Sequence, residues 1–206
     1  MNARDYWAKR YTEPQAIRHH ATQNAQLSKD LMFAVAKNPV MNQALGKASA
    51  VLEIGCGTGD LSSHISRSYA PTTLYATDFS REAVMAATKR HPHLTFWVWD
   101  VLKDSFERTF DIAVSSNTLE HFTDPHLVIG RVLKYAKEFL IVVPYKQPLS
   151  DGFDNEGGAG HVSSFSKSSF SRYNVRAAAV FESKGWQHRV KKERPRQLAI
   201  LIRTKR

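Results

Sequence analysis

Three glycines at alternate positions, Gly55, Gly57 and Gly59, stand in the segment Val-Leu-Glu-Ile-Gly-Cys-Gly-Thr-Gly-Asp that runs from Val51 to Asp60. An apolar, strand-like run precedes them and a helix-like run follows, and Asp78 ends the next strand-like run 19 residues after Gly59. In open parallel sheets, ligands sit at the carboxyl ends of the strands, and an acid at this spacing can accept hydrogen bonds from a ribose diol. Each charge-assisted bond of that kind contributes about 1.5–3 kcal/mol. The dinucleotide fingerprint wants a third glycine where this chain has Asp60, and an anion there would repel a pyrophosphate. No Gly-Lys-Ser or Gly-Lys-Thr follows, so the phosphate-cradling loop is absent as well. The pattern therefore points to an adenosine ligand without phosphates. Beside the turn, Glu53 is suited to orient the turn and the N-terminal backbone. Cys56, with no basic neighbour in sequence, reads as a small packing residue, since a buried thiol stays protonated.

The elements that must hold these groups alternate between strand and helix, the signature of a parallel sheet with helices on both faces. Strands are expected at 51–54, 72–77, 94–99, 111–115 and 139–144. Helices are expected at 61–68, at 81–90 after a Ser80 cap, and at 125–136 after Asp124 with Pro125 at the favoured first position. A Gly-, Asp- and Ser-rich loop over 146–163 is long enough to be functional. Beyond it a helix is expected at 166–183, closed by Gly185, then an antiparallel hairpin of strands 186–192 and 197–203 joined near Pro195. Residues 1–47 are helical in character, with an apolar stripe at 27–36, and serve as a cover over the sheet or a pocket.

At 206 residues the chain fits one domain, with 42% hydrophobic and 23% charged residues. Its longest apolar runs, near 139–143, fall far short of the ~18 residues that span a bilayer. The first ten residues mix Arg4, Asp5, Lys9 and Arg10 without the apolar stretch of a signal peptide, and a cytoplasmic location is expected. The single cysteine fits a reducing compartment and forbids an internal disulfide. The net charge of +10 is uneven: residues 184–206 hold nine Lys and Arg against Glu193 alone, a balance of +8, which leaves +2 for the rest. Such a tail can be a nucleic-acid patch, a funnel for an anionic substrate, or a solvated edge that blunts aggregation.

Glu53-x-Gly55-x-Gly57-x-Gly59, with Asp78 ending strand two, Asp100 ending strand three and Phe110-Asp-Ile-Ala-Val114 opening strand four, resembles the class I S-adenosylmethionine-dependent methyltransferases over residues 51–144. The resemblance implies a Rossmann-like α/β fold: a mainly parallel seven-stranded sheet with a C-terminal antiparallel hairpin. Residues 1–47 would then be a lid on a catalytic core of 48–206. It implies that Gly55, Cys56, Gly57 and Gly59 lie against the methionine part and ribose, with Asp78 on the ribose hydroxyls and Phe79 flanking the adenine. Asp100 would accept from the adenine amino group beside the Val101 backbone, and Ser115 to Asn117 would lie near the sulfonium.

Methyl transfer from a sulfonium is an in-line displacement. A dry pocket that aligns acceptor and methyl supplies effective molarities that reach ~10⁵ M or more, and a base adds ~10²–10⁴ for a hydroxyl acceptor. Two histidines are candidates: His121, directly after strand four, and His161, in the long loop. Glu120-His121-Phe122 matches an element common to family members with many substrates, which favours a structural His121. Asp151, Asp154 and Glu156 share the loop with His161, and together they could hold a divalent ion, though solvated acids are the commoner case. Tyr6, Trp7 and Tyr11 could close over the methionine end. The expected acceptor is a hydroxyl of a small molecule or saccharide. Nucleic-acid methylation has only the basic tail in its favour: Ser115-Ser-Asn-Thr118 lacks the Asn/Asp-Pro-Pro-aromatic grip on a flipped base, and there is no Pro-Cys nucleophile. A cofactor-binding but inactive interaction module is the remaining alternative.

Overall fold

In the computed structural model of the protein, residues 3–147, 149, 160–184 and 195–204 are described. Three helices, α1 (Ala3–Arg10), α2 (Pro14–Ala36) and α3 (Pro39–Gly46), precede the sheet. Then come β1 (Ala50–Ile54), α4 (Asp60–Tyr69), β2 (Thr73–Asp78), α5 (Arg81–Arg90), β3 (Phe96–Val98), β4 (Phe110–Ser116), α6 (Pro125–Val132), β5 (Ala136–Pro144), β6 (Asn174–Glu182) and β7 (Arg196–Arg203). The seven strands lie in the order β3-β2-β1-β4-β5-β7-β6. β1 to β5 are parallel, while β7 runs antiparallel to both β5 and β6. The topology therefore reverses between β1 and β4, at the carboxyl end of the sheet, where ligands bind in folds of this kind.

Strand alternation divides β5 between two cores. Phe139, Ile141 and Val143 face Val128, Ile129 and Val132 of α6. Leu140 and Val142 face the other layer, where Leu31, Val35, Met41, Leu45 and Ile65 close the sheet from α2, α3 and α4. The apolar stripe expected at 27–36 is that contact, with Leu27, Leu31, Ala34 and Val35 buried. The caps of α5 and α6 are formed as their residues suggest: Ser80 accepts from Ala83 N at 3.2 Å, and Asp124 from Leu127 N at 3.0 Å.

Two expectations need correction. The stretch 166–183 is not a helix but a short 3-10 turn, Lys167–Phe170, followed by β6. Its alanines favour a helix locally, but β7 is buried over most of its length and offers an unpaired edge, which β6 fills through eight registered pairs. The hairpin is thus formed by β6 and β7, and the strand expected at 186–192 falls outside the described residues, as does Gly185. The helix expected at 125–136 ends at Val132, because Tyr135 O accepts from Phe110 N at 2.7 Å and Ala136 already pairs with Phe110. Among the described residues no helix is long and apolar enough to cross a membrane.

Candidate functional site

The glycine turn joins β1 to α4 with Gly55, Gly57 and Gly59 at φ of 71°, 51° and 79°. Only glycine adopts that region without cost. A Cβ on Gly55 would strike the Thr118 side chain, and one on Gly57 would lie 2.9 Å from the Tyr11 hydroxyl. Gly59 has a different neighbour: its Cβ would meet Phe96 at 2.6 Å, so this glycine lets α4 and β3 approach, and it lines neither of the two cavities described below.

Asp78 at the end of β2 reaches back to the turn. Its Oδ2 accepts from Gly57 N and its Oδ1 from Ser80 N, both at 3.0 Å. The Phe79 backbone N–H acts on the same carboxylate, and with about four lone-pair sites it keeps room for one further donor from a ligand. Burial pushes its pKa up to about 6 despite those backbone bonds. Glu53, in β1, accepts from Ser62 Oγ and is raised to about 7, again mainly by burial. The Cys56 thiol is buried and raised for the same reason, in keeping with a packing role.

Two cavities open on this turn. The larger, about 440 Å³, lies at the ends of β2 and β3, lined by Asp78, Phe79, Trp99, Asp100, Val101 and Phe122 among others. Asp100 Oδ1 accepts from Leu102 N at 2.9 Å, a turn-forming bond that leaves Oδ2 facing Lys103 Nζ at 4.0 Å. The other cavity, about 370 Å³, lies between the turn and the N-terminal helices, where Arg10, His20, Asn24, Glu53, Asp60 and His161 contribute polar groups. Gly55, Asn117, His121, Trp7 and Tyr11 line both cavities and so form the wall they share.

The expected site residues therefore divide. Gly55, Asp78, Phe79, Asp100, Val101, Asn117 and His121 converge on the larger cavity; Glu53, Gly55, Cys56, Gly57, Asn117, His121 and His161 line the smaller one. Ser115 joins neither: it is fully buried within the sheet and its hydroxyl donates to Ile54 O at 3.0 Å. Asn117 is held at φ 52°, a left-handed conformation that asparagine tolerates better than most residues. Its Nδ2 donates to Ser116 Oγ at 3.0 Å, while its buried Oδ1 has no hydrogen-bond partner among the described residues. Asp151, Asp154 and Glu156 lie outside the described residues.

The N-terminal helices contribute more than sequence reading anticipated. Arg10 donates to His20 Nε2 at 2.9 Å, and burial together with that guanidinium lowers His20 to about 4. Asn24 Nδ2 donates to Thr58 Oγ1, which donates to Asp60 Oδ2, and Arg90 donates to Asp60 Oδ1. This chain of bonds ties α2 to the glycine turn. The signal for it in sequence was slight: polar residues on an otherwise amphipathic helix. Tyr11 is buried, and burial and Asp78 raise its pKa well above the ordinary tyrosine value.

His121 follows a 3-10 turn, Leu119–His121. Its Nδ1 donates to Gly160 O at 3.1 Å, which assigns the lone pair to Nε2 because a carbonyl can only accept. Burial lowers its pKa to about 4. The Trp7 ring meets it edge-on with centroids 4.9 Å apart, and the His161 ring lies 5.0 Å away. Glu120, 1% exposed, is raised to about 8 by burial.

Residues 51–139 match a family model described as a methyltransferase domain. Over 102 residues the chain is 28% identical to the malonyl-[acyl-carrier protein] O-methyltransferase of Priestia megaterium, covering 48% of this chain and 37% of that protein. The corresponding protein of Bacillus anthracis is 24% identical over 115 residues, 55% of this chain and 43% of that protein. The matched stretch thus spans less than half the length of these curated relatives. Among solved structures, the plantazolicin methyltransferase BpumL in complex with SAH superposes with a TM-score of 0.65 at 17% identity, covering 98% of this chain and 95% of that one. The magnesium protoporphyrin IX methyltransferase (ChlM) of Synechocystis PCC 6803 with bound SAM gives 0.61 at 14%, covering 97% and 90%. At such identities the likeness is one of fold.

Proposed function

We propose, from the premise that the chain carries a methyltransferase domain and has the class I S-adenosylmethionine-dependent methyltransferase fold, that it transfers a methyl group from S-adenosylmethionine to an oxygen of a small-molecule or saccharide acceptor. One observation carries the reading: a strand-end cavity lined by Asp78 meets a second, polar cavity at Gly55 and Asn117. The residues present fit the cofactor. The turn leaves a cradle that a Cβ would fill, Asp78 keeps acceptor capacity for a ribose hydroxyl, and the buried Asn117 Oδ1 lacks a partner among the described residues. When bound, S-adenosylmethionine supplies an electrophilic methyl on a sulfonium and leaves as S-adenosylhomocysteine.

The chain's own residues divide the work. Asp78 holds the ribose hydroxyls, Phe79 and Val101 flank the adenine, and Asp100 takes its amino group. The Gly55–Gly57 backbone approaches the methionyl part, whose carboxylate finds the Arg10 guanidinium in the smaller cavity. Asn117 sits at the junction where the methyl group crosses. Trp7 and Tyr11, on the wall of both cavities, exclude water and complete the cover formed by residues 1–47. His121 and His161 stand on the acceptor side, where an acceptor hydroxyl must lose its proton. The likeness to an O-methyltransferase over the matched stretch supports an oxygen acceptor.

Two of the described cations of the basic tail are engaged within the fold: Arg203 donates to Glu138 at 2.7 Å and Arg196 stacks 5.2 Å over the Tyr145 ring. The test is label transfer from methyl-labelled S-adenosylmethionine into pooled small molecules, saccharides and RNA. Label in a small-molecule or saccharide pool, lost in Asp78→Ala, is expected. Label confined to RNA, or the absence of calorimetric S-adenosylhomocysteine binding, would overturn the reading.

A further inference from the structure

Where the two cavities meet, two chain segments are clamped face to face. Val162 N and Ser163 N both donate to Glu120 O, at 2.9 and 3.1 Å, and Ser163 Oγ donates to Phe122 O at 2.9 Å. With the His121 Nδ1 bond to Gly160 O, four hydrogen bonds fix 120–122 against 160–163. The clamp gathers three side chains of metal-ligand type: Glu120, His121 and His161 each offer a donor atom within 4.8 Å of the other two. Glu120 and His161 are 1% and 2% exposed, and Glu120 Oε1 lies 3.9 Å from His161 Nε2, beyond hydrogen-bond range.

The carboxylate is the anomaly. Neither Glu120 oxygen accepts a hydrogen bond within proper geometry from the described residues, apart from the pull of its own backbone N–H. Buried carboxylates are ordinarily paired, bonded or bound to a metal, because desolvating one alone is costly. The arrangement of His121 answers the same question. Histidines that bind metals donate their other ring N–H to a carbonyl or carboxylate, which fixes the tautomer and aims the lone pair. Here Gly160 O is that acceptor, and the His121 lone pair lies on Nε2.

We propose that Glu120, His121 and His161 form a divalent transition-metal site, with zinc as its natural occupant. Two imidazoles and one carboxylate are a zinc donor set, and three protein ligands leave a position open toward the smaller cavity, which His121 and His161 line. Zinc–ligand bonds near ~2.1 Å in tetrahedral geometry set the donors roughly 3.4 Å apart. The Glu120–His161 pair is about half an ångström from that spacing, and closing the rest takes rotation about the terminal side-chain torsions, which are soft.

Metal binding stands independently of the methyl-transfer reading; one consequence rests on it. An acceptor hydroxyl in the open position would lose its proton to bulk water, its O–H bond breaking at the metal. Its oxygen would then form a bond to the methyl carbon as the carbon–sulfur bond breaks and sulfur keeps the electron pair. The two histidines would thus act on the acceptor through the metal.

The experiment uses the full chain, stripped with a chelator and titrated with zinc alone, and with cobalt(II) for its visible d–d absorption. One zinc per chain retained through gel filtration is expected, with a raised melting temperature and a low-coordinate cobalt spectrum. Glu120→Gln, which keeps the side-chain shape, should weaken zinc at least tenfold, as should His161→Ala. S-adenosylhomocysteine binding to Glu120→Gln, measured in parallel, shows that the variant is folded. Zinc bound equally by both variants would mean a site elsewhere, among the other histidines, and would overturn the proposal. So would failure of the native chain to retain zinc. Loss of methyl transfer with zinc binding intact would instead count against the proposed reaction alone.

Discussion

The two cavities that meet at Gly55 and Asn117 are built from opposite materials. The larger is a product of the sheet: its groups come from successive strand ends, and Asp78 is fastened by backbone N–H groups on both oxygens. The smaller is assembled from distant segments, with Arg10 and His20 from the cover, Glu53 from β1 and His161 from beyond β5. Its polar groups bond side chain to side chain, as in Arg10 to His20 and Asn24 to Thr58. The contrast suits a protein that holds one invariant ligand and a second, particular one. Strand ends are rigid and belong to the fold, whereas a cover and a loop can change without disturbing the sheet.

The contrast can be broken most forcefully at the strand ends. Asp78→Ala would remove the charge-assisted ribose bond proposed for it, of about 1.5–3 kcal/mol, so calorimetry should find S-adenosylmethionine binding up to ~100-fold weaker. An unchanged affinity would detach the larger cavity from the cofactor. Arg10→Ala, on the cover side, would remove the partner proposed for the methionyl carboxylate and should weaken the cofactor roughly tenfold. A loss as large as that of Asp78→Ala would mean that the cover, not the sheet, dominates cofactor binding.

A subtler difference is carried by pH. Because burial raises Asp78 from 3.8 to about 6, the free fold gains a proton there between those values. Its contribution to stability is complete below pH 4 and is lost as pH rises through 6. On the proposed ribose contact, cofactor affinity would move the other way, because the hydroxyls would donate to the anion: it should fall up to about tenfold per pH unit below 6. The titratable groups facing Asp78 sharpen this reading: Tyr11 and Cys56 have raised pKa values and stay neutral there, while Glu53 titrates near 7. The slope between pH 5 and 6 should vanish in Asp78→Asn, and its persistence would assign it to Glu53. The smallest effect is expected at Ser115→Ala, which gives up one buried bond to Ile54 O. That costs stability about 0.5–1.5 kcal/mol by denaturant melt and leaves cofactor affinity unchanged.

The larger cavity was legible because its chemistry is local. The glycine turn, Asp78, Phe79 and Asp100 follow strands whose apolar runs mark their ends, and chain order alone brings those ends together. Gly59 and Ser115 show the limit: both stand within the motif, but the packing of Phe96 and the Ile54 carbonyl give them structural duties. Residues 174–182 show it differently. Their alanine-rich run favours a helix by propensity, and only the open edge of β7, distant in the chain, made them a strand.

Sequence by itself determined the alternation of strands and helices, the glycine turn and the acid that faces it, because each rests on contacts between near neighbours or on the period of apolar residues. The tertiary structure alone decided which strand closes the sheet, that α1 and α2 roof the site, and that Glu120, His121 and His161 share one buried corner. Those depend on segments separated by as many as 153 residues, such as Asp30 accepting from Ser183, and no local spacing encodes which of many possible long-range contacts the chain will form.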